Sequence, residues 1–258
     1  MTTSSKTTTG PLKDLLTLFR FHHAAETYEA QAKAAADKNW SHLEFLTQLL
    51  SMEAALRHER VVQIRVKDAK IPVLKTIDSF DWAHPASIPK QLLLSAFSLS
   101  FVEQKENLIL VGPSGIGKTH IALALAYAAC QKEIKTLWTT AADIVNTLAA
   151  AKSDHTVNRT IRHYTAPKLL VIDELGFLPM DKDGSDLFFQ IISHRYEQGS
   201  VVLTTNRAFK DWGKIFNDNT VASAILDRLV HHSEVAKIEG PSYRVKNRKD
   251  KSTRSEGE

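Results

Sequence analysis

The chain has 258 residues, with 33 Lys and Arg against 29 Asp and Glu for a net charge of +4, and 43% of it is hydrophobic. That length holds one full α/β domain plus a smaller one, and the composition is that of a globular chain. No apolar run reaches the ~20 residues of a membrane span, residues 1–10 show no apolar core of a secretory signal, and the single cysteine, Cys130, excludes an internal disulfide framework and a cysteine-based zinc site.

A cytoplasmic protein is expected. The eleven histidines show no ligand spacing, since His58-Glu59 lacks a second His four positions after the first. Residues 1–10 are Ser/Thr-rich and expected to be disordered. From Pro11 the pattern is helical, with Leu12, Leu15, Leu16 and Phe19 at i, i+3, i+4 and i+7. Residues 24–36 are rich in good helix formers. Asn39, Trp40 and Ser41 break the run, and Ser41 with Glu44 makes a capping box. Leu43, Leu46 and Leu50, with Phe45, Leu49, Met52 and Leu56, form a broad apolar stripe on a helix predicted to run to Ala69. Arg57, Arg60, Arg65, Lys67 and Lys70 are expected to face outward from it. Residues 11–70 thus read as a small all-helical module, serving either to pack on the next domain or to dock a protein partner or DNA. Residues 71–89 read as a linker broken by Pro72, Pro85 and Pro89, with an extended piece at 76–82 and a helix at 88–97.

The sequence GPSGIGKT at 112–119 then fits the P-loop pattern of Gly, four residues, Gly-Lys and Ser or Thr. A buried strand at 107–111 precedes it and a helix follows. Glycines let backbone N–H groups converge on a phosphate, and the helix adds the positive end of its dipole. Lys118 is expected to reach the β/γ-phosphates and Thr119 to ligate Mg²⁺. The expected nucleotide contacts are Gly112, Pro113, Ser114, Gly115, Ile116, Gly117, Lys118, Thr119 and His120.

A second strand is predicted at 135–139 and a helix at 141–151. Ser153 or Asp154 would cap another helix at 155–164. Its apolar side is Val157, Ile161 and Tyr164, and its other side carries His155, Arg159 and Arg162 with Lys152 close by. That basic stripe is either a solvated face or a contact with the phosphate backbone of DNA.

Residues 168–174 read as a buried parallel strand that ends in Asp173 and Glu174. Ligands of open α/β sheets collect at such strand ends. Asp173 is expected to hold the Mg²⁺ shell, and Glu174 to act as general base on the attacking water. Asp181-Lys-Asp-Gly184 does not have calcium-loop spacing and reads as a turn capping a helix at 185–197. The strand at 200–205 ends at Asn206, which would lie beside the acids and orient water or touch the γ-phosphate, or simply make a turn. On the helix at 220–230, Arg228 lies off the apolar stripe of Ala222, Ile225, Leu226, Leu229 and Val230. It could reach a neighbouring subunit's nucleotide as an arginine finger, or pair with Asp227 or Glu234. A last strand at 234–238 leads through Gly240 to Arg244, which could return to the same nucleotide, and then to a basic tail at 246–258 that points to an anionic partner.

Taken together, GKTHIA at 117–122, VIDELG at 171–176, TTNR at 204–207, ILDRL at 225–229 and GPSYR at 240–244 resemble the IstB-like transposition helper ATPases of the AAA+ class, sister to the DnaC-like helicase loaders. The resemblance covers residues 73–245. It implies a P-loop core, a parallel sheet sandwiched by helices, at 90–245, after a helical N-terminal domain. It gives Asn206 the sensor 1 position, Arg228 the arginine finger and Arg244 sensor 2. It places 152–162 in a helical insertion that lines a DNA channel. It also implies an ATP- and DNA-dependent homo-oligomer around duplex DNA, with a transposase as partner and ATP and Mg²⁺ as cofactors. Only fourteen residues follow Arg244, so little or no C-terminal helical lid is expected. Two other functions are compatible with such a core: a helicase loader gripping its partner through 11–70, and a P-loop kinase, which would need an acceptor pocket that is not legible.

Overall fold

The computed structural model describes residues 9–243. The roles expected of Arg244 and the basic tail, and most of the Ser/Thr-rich start, fall outside those residues. Chain contacts divide the protein into two compact units, with the boundary between Ile64 and Arg65.

The first unit is helical: α1 (Thr9–Leu18), α2 (His22–Asp37) and most of α3 (His42–Asp68). The capping box forms as expected, the Ser41 amide donating to Glu44 Oε2 at 2.7 Å and the Glu44 amide to Ser41 Oγ at 3.2 Å. A small core gathers Ala24, Tyr28 and Leu49, with Leu16, Phe21 and Phe45 against it. Glu53 is buried in this unit, and its Oε2 accepts the Ala24 amide at 2.9 Å. A carboxylate there satisfies one of the unpaired N–H groups at the start of α2 and suits the positive end of its dipole. The broad stripe on α3 is buried only in part. Leu49 is covered, whereas Leu43, Leu46, Leu50 and Met52 are exposed, as are Leu12, Leu15 and Phe19 of the α1 region.

The second unit contains α4 (Lys90–Ala96), α5 (Ser100–Glu103), β1 (Asn107–Val111), α6 (Lys118–Gln131), β2 (Thr136–Thr140), α7 (Ala141–Ser153), α8 (Val157–Thr165), β3 (Leu169–Leu175), α9 (Lys182–Arg195), β4 (Ser200–Thr205), α10 (Gly213–Phe216), α11 (Asn219–Val230) and β5 (Ser233–Lys237). All pairings are parallel, in the order β2-β3-β4-β1-β5. Strands β1, β3 and β4 are nearly continuous apolar runs because helices cover both faces. This is the α/β P-loop fold expected from the sequence.

Several boundaries move for identifiable reasons. Asp181 is itself the N-cap of α9, its Oδ1 accepting the Gly184 amide at 2.8 Å, so the helix starts at Lys182 rather than at Ser185. His155 adopts a left-handed φ of +56° and lies in the turn before α8 rather than on the helix. Residues 71–89, expected as a linker, belong to the second unit. Ser87 and Glu239 bond backbone to backbone at 3.1 and 2.9 Å, and Phe80 lies in the core formed by α6 and the sheet.

Arg195 is buried, and nothing in the sequence marks it. Its guanidinium donates to the carbonyls of Tyr164 at 3.0 Å, Pro167 at 2.8 Å, Lys168 at 3.1 Å and Ser200 at 2.6 Å. Burial pushes its pKa down to about 10, so it stays charged. The planar fork with five donors explains why Arg and not Lys can hold two chain segments together here.

Candidate active site

The carboxyl ends of β1, β3 and β4 open into a cleft of 410 Å³. Its floor is the P-loop. Gly117 has φ +104°, and a Cβ there would meet Phe80 Cε2 at 2.6 Å, so only glycine fits between the loop and the 71–89 segment. Lys118 is the first residue of α6 and is 8% exposed. Its Nζ donates to the Gly112 and Pro113 carbonyls at 2.8 and 2.7 Å, which holds the ammonium against the loop's own backbone. His120 also lines the cleft, its Nε2 lying 2.9 Å from the Thr76 carbonyl oxygen and its ring edge-on to Phe80.

Strand β4 lies between the P-loop strand β1 and the acid-bearing strand β3. This order brings Thr204 against both acids. Asp173 is 2% exposed, and its Oδ1 accepts the Thr119 hydroxyl at 3.1 Å and the Thr204 hydroxyl at 2.5 Å. Thr204 Oγ1 in turn accepts the Glu174 amide at 2.9 Å. Pairing of β3 with β4 shifts register between Ile172 and Leu175, and Glu174 sits there with φ +63°. A left-handed conformation is costly for a residue with a Cβ and persists only where the surroundings hold it. Thr204 holds one side of the bulge. Thr205 holds the other, its hydroxyl donating to the Leu175 carbonyl at 2.8 Å. Asp173 points into the protein beside Thr119, whereas Glu174 is exposed and lines the cleft. Two successive carboxylates thus lie in different environments. Sequence reasoning missed Thr204 and Thr205. The signal available was two hydroxyls ending an otherwise apolar strand.

Asn206 lies at the tip of β4, is exposed and lines the same cleft. The 240–243 segment packs on the loop, with the Tyr243 amide donating to the Gly115 carbonyl at 2.8 Å and the Tyr243 ring edge-on to His84. Val73, Phe80 and Leu123 add apolar surface to the cleft's lining.

Arg228 is on α11 and is not among the residues that line the cleft. Its guanidinium carbon lies 4.8 Å from the centroid of the Phe189 ring, and its side chain donates to the Ala224 carbonyl at 3.0 Å. Neither acid weighed for it in sequence, Asp227 or Glu234, is its ion-pair partner among the described residues. The α8 face is amphipathic as expected: Ile161 and Tyr164 are buried, Arg159 and Arg162 exposed. Lys152 is also exposed, but it pairs with Asp183 at 2.5 Å, which offsets part of its charge.

The IstB-like ATP binding protein family matches residues 14–251. A protein named for ATP binding in insertion sequence IS21 of Pseudomonas aeruginosa is 37% identical over 92% of this chain and 90% of its own. One similarly named for insertion sequence IS232 of Bacillus thuringiensis is 43% identical over 80% of this chain and 82% of its own. Among solved structures, AMPPCP-bound DnaA from Aquifex aeolicus aligns with a TM-score of 0.55 at 19% identity, covering 69% of this chain and 54% of that one. The DnaC helicase loader aligns at 0.52 and 21%, covering 64% and 96%. These two likenesses are of fold. The extent of the family match, with 37–43% identity to proteins named for insertion sequences, establishes that this chain belongs to the IstB-like ATP binding protein family.

Proposed function

We propose that this chain is a Mg²⁺-dependent ATPase that assembles on duplex DNA, with each nucleotide shared between two protomers, and assists a transposase in choosing and engaging its target. The observation that carries this is the bulge at Asp173-Glu174. There one carboxylate lies beside the P-loop threonine and the next lines the cleft.

In this reading the phosphates lie across 112–119, with loop amides and the start of α6 as donors. Lys118 leaves the Gly112 and Pro113 carbonyls and pairs with the β/γ-phosphates. Val73, Phe80 and Leu123 take the base. Thr119 Oγ1 and Asp173 Oδ1 are hard oxygen donors 3.1 Å apart. That spacing is close to the ~3.0 Å edge of an octahedron with bonds of ~2.1 Å, so these residues suit Mg²⁺ and would hold it. Bound there it would neutralise charge on the phosphate oxygens. Glu174 takes a proton from the attacking water while Asn206 orients that water. Arg228 is half-buried and stands away from its own cleft, which suits action across a subunit boundary. Arg159 and Arg162 supply phosphate-backbone contacts, with Lys152 as a weaker contributor because of Asp183. Relatives named for insertion sequences favour a transposition role over helicase loading.

Phosphate release by wild type and by Glu174→Gln, each with and without duplex DNA, tests the proposal. Wild type should turn over faster with DNA, and more slowly as salt rises. Glu174→Gln should bind ATP normally and lose ~10²–10⁴-fold in rate. Normal turnover in that variant refutes the general-base role.

A further inference from the structure

We infer that Glu197, His231 and His232 form a surface site for a borderline divalent transition-metal ion of the zinc class. The histidines show no ligand spacing along the chain, and Glu197 lies far from His231 and His232 in sequence. Folding brings one donor atom from each residue within 4.8 Å of the others.

The local backbone makes the convergence stable. Consecutive residues on a helix do not share a face. Helix α11, however, ends at Val230, and the chain turns there into β5, which begins at Ser233. The His231 and His232 rings therefore come to lie side by side, with centroids 4.1 Å apart. The His231 amide donates to the Asp227 carbonyl at 3.0 Å, and the His232 carbonyl accepts the Asn107 amide at 2.7 Å. Both backbone positions are thus anchored. On the other side, Glu197 lies in the turn after α9 with φ +57°. The buried Arg195 fixes that turn by donating to the Ser200 carbonyl.

Three features favour a metal over a plain ion pair. His232 Nε2 lies 3.4 Å from Glu197 Oε1. That is long for a hydrogen bond, but it matches the edge of a tetrahedron whose metal–ligand bonds are ~2.1 Å, about 3.4 Å. The Tyr196 hydroxyl lies 2.7 Å from His231 Nδ1, an outer partner of the kind that orients a ligating imidazole. The histidines also stand at the C-terminal end of α11, where the helix dipole favours a cation. Two imidazoles and a carboxylate with an open fourth position for water suit Zn²⁺ better than Mg²⁺ or Ca²⁺. The site is separate from the nucleotide cleft, none of its residues lining that cleft.

Titration of the metal-free, full-length protein with ZnCl₂ in a calorimeter, without nucleotide, tests this directly. Wild type should take up zinc with micromolar affinity. His232→Gln and Glu197→Gln should each weaken that binding by at least about tenfold. A His22→Gln/His23→Gln control should keep it. Because all three ligands are at the surface, both site variants should melt like wild type. Equal zinc binding by wild type and both site variants, or no wild-type binding in the micromolar range, overturns the site. Neither outcome bears on the ATPase proposal, since no nucleotide is present.

Discussion

Replacing Thr204 with valine removes one hydroxyl and keeps the side chain's shape. The residue is 1% exposed and sits at the edge of the cleft. Two bonds disappear: the donation to Asp173 Oδ1 at 2.5 Å and the acceptance from the Glu174 amide at 2.9 Å. The first is charge-assisted and contributes ~1.5–3 kcal/mol; the second is neutral and contributes ~0.5–1.5 kcal/mol. The expected loss of stability is therefore ~2–4.5 kcal/mol, or a fall in Tm of ~4–18 °C for a unit of this size. The catalytic effect should be larger than the stability effect suggests. Without Thr204 nothing on that side holds Glu174 in its left-handed conformation, and a displacement of ~1 Å at a catalytic group costs on the order of 10²-fold in rate. Thr204→Ser keeps the hydroxyl and should keep most of the activity. The assay is phosphate release at saturating ATP and duplex DNA, beside binding of a fluorescent ATP analogue, which should change little. If Thr204→Val turned over within twofold of wild type and melted at the same temperature, the bulge would not be what aims Glu174.

Arg228→Ala should impair hydrolysis and assembly yet leave ATP affinity intact. Mixing it with Lys118→Ala, which retains Arg228, should restore part of the turnover if the arginine acts across an interface; no restoration argues that it does not. Charge reversal at Arg159 and Arg162 should cut duplex affinity and reduce its salt dependence by about one contact each, while ATP binding stays unchanged; parallel loss of both would indicate misfolding. Arg195→Met strips several buried carbonyls of their donor, at ~1–3 kcal/mol for each left unsatisfied, and should show as a lowered denaturation midpoint. A cost under ~1 kcal/mol would mean that water replaces the guanidinium.

The P-loop was legible because its spacing is dictated by phosphate geometry. Strands β1 and β4 appear at the predicted residues because each is an apolar run with clear stops. The order of strands was not legible. Nothing along the chain says that β4 inserts between β1 and β3, and this insertion is what makes Thr204 a partner of both acids. The bulge at Glu174 was hidden for the same reason, since a run ending in two carboxylates reads as plain strand. Arg195 looked like any basic residue at the end of a helix. Its burial is visible only once the turn after β3's predecessor helix and the start of β4 come together around it. Segment 71–89 read as a linker because prolines break helices whether or not the segment packs. Phe80 and Trp82, whose rings meet edge-on at 4.9 Å, were the available hint that it does.

The claim on which the account rests is that a triphosphate joins two protomers along DNA. Sedimentation velocity of the Glu174→Gln protein with ATP, Mg²⁺ and duplex DNA, compared with each omitted in turn, tests it most directly. Multi-subunit complexes should form only when both ATP and DNA are present, and Arg228→Ala should abolish them. Sedimentation as a single subunit with both in excess would contradict the account.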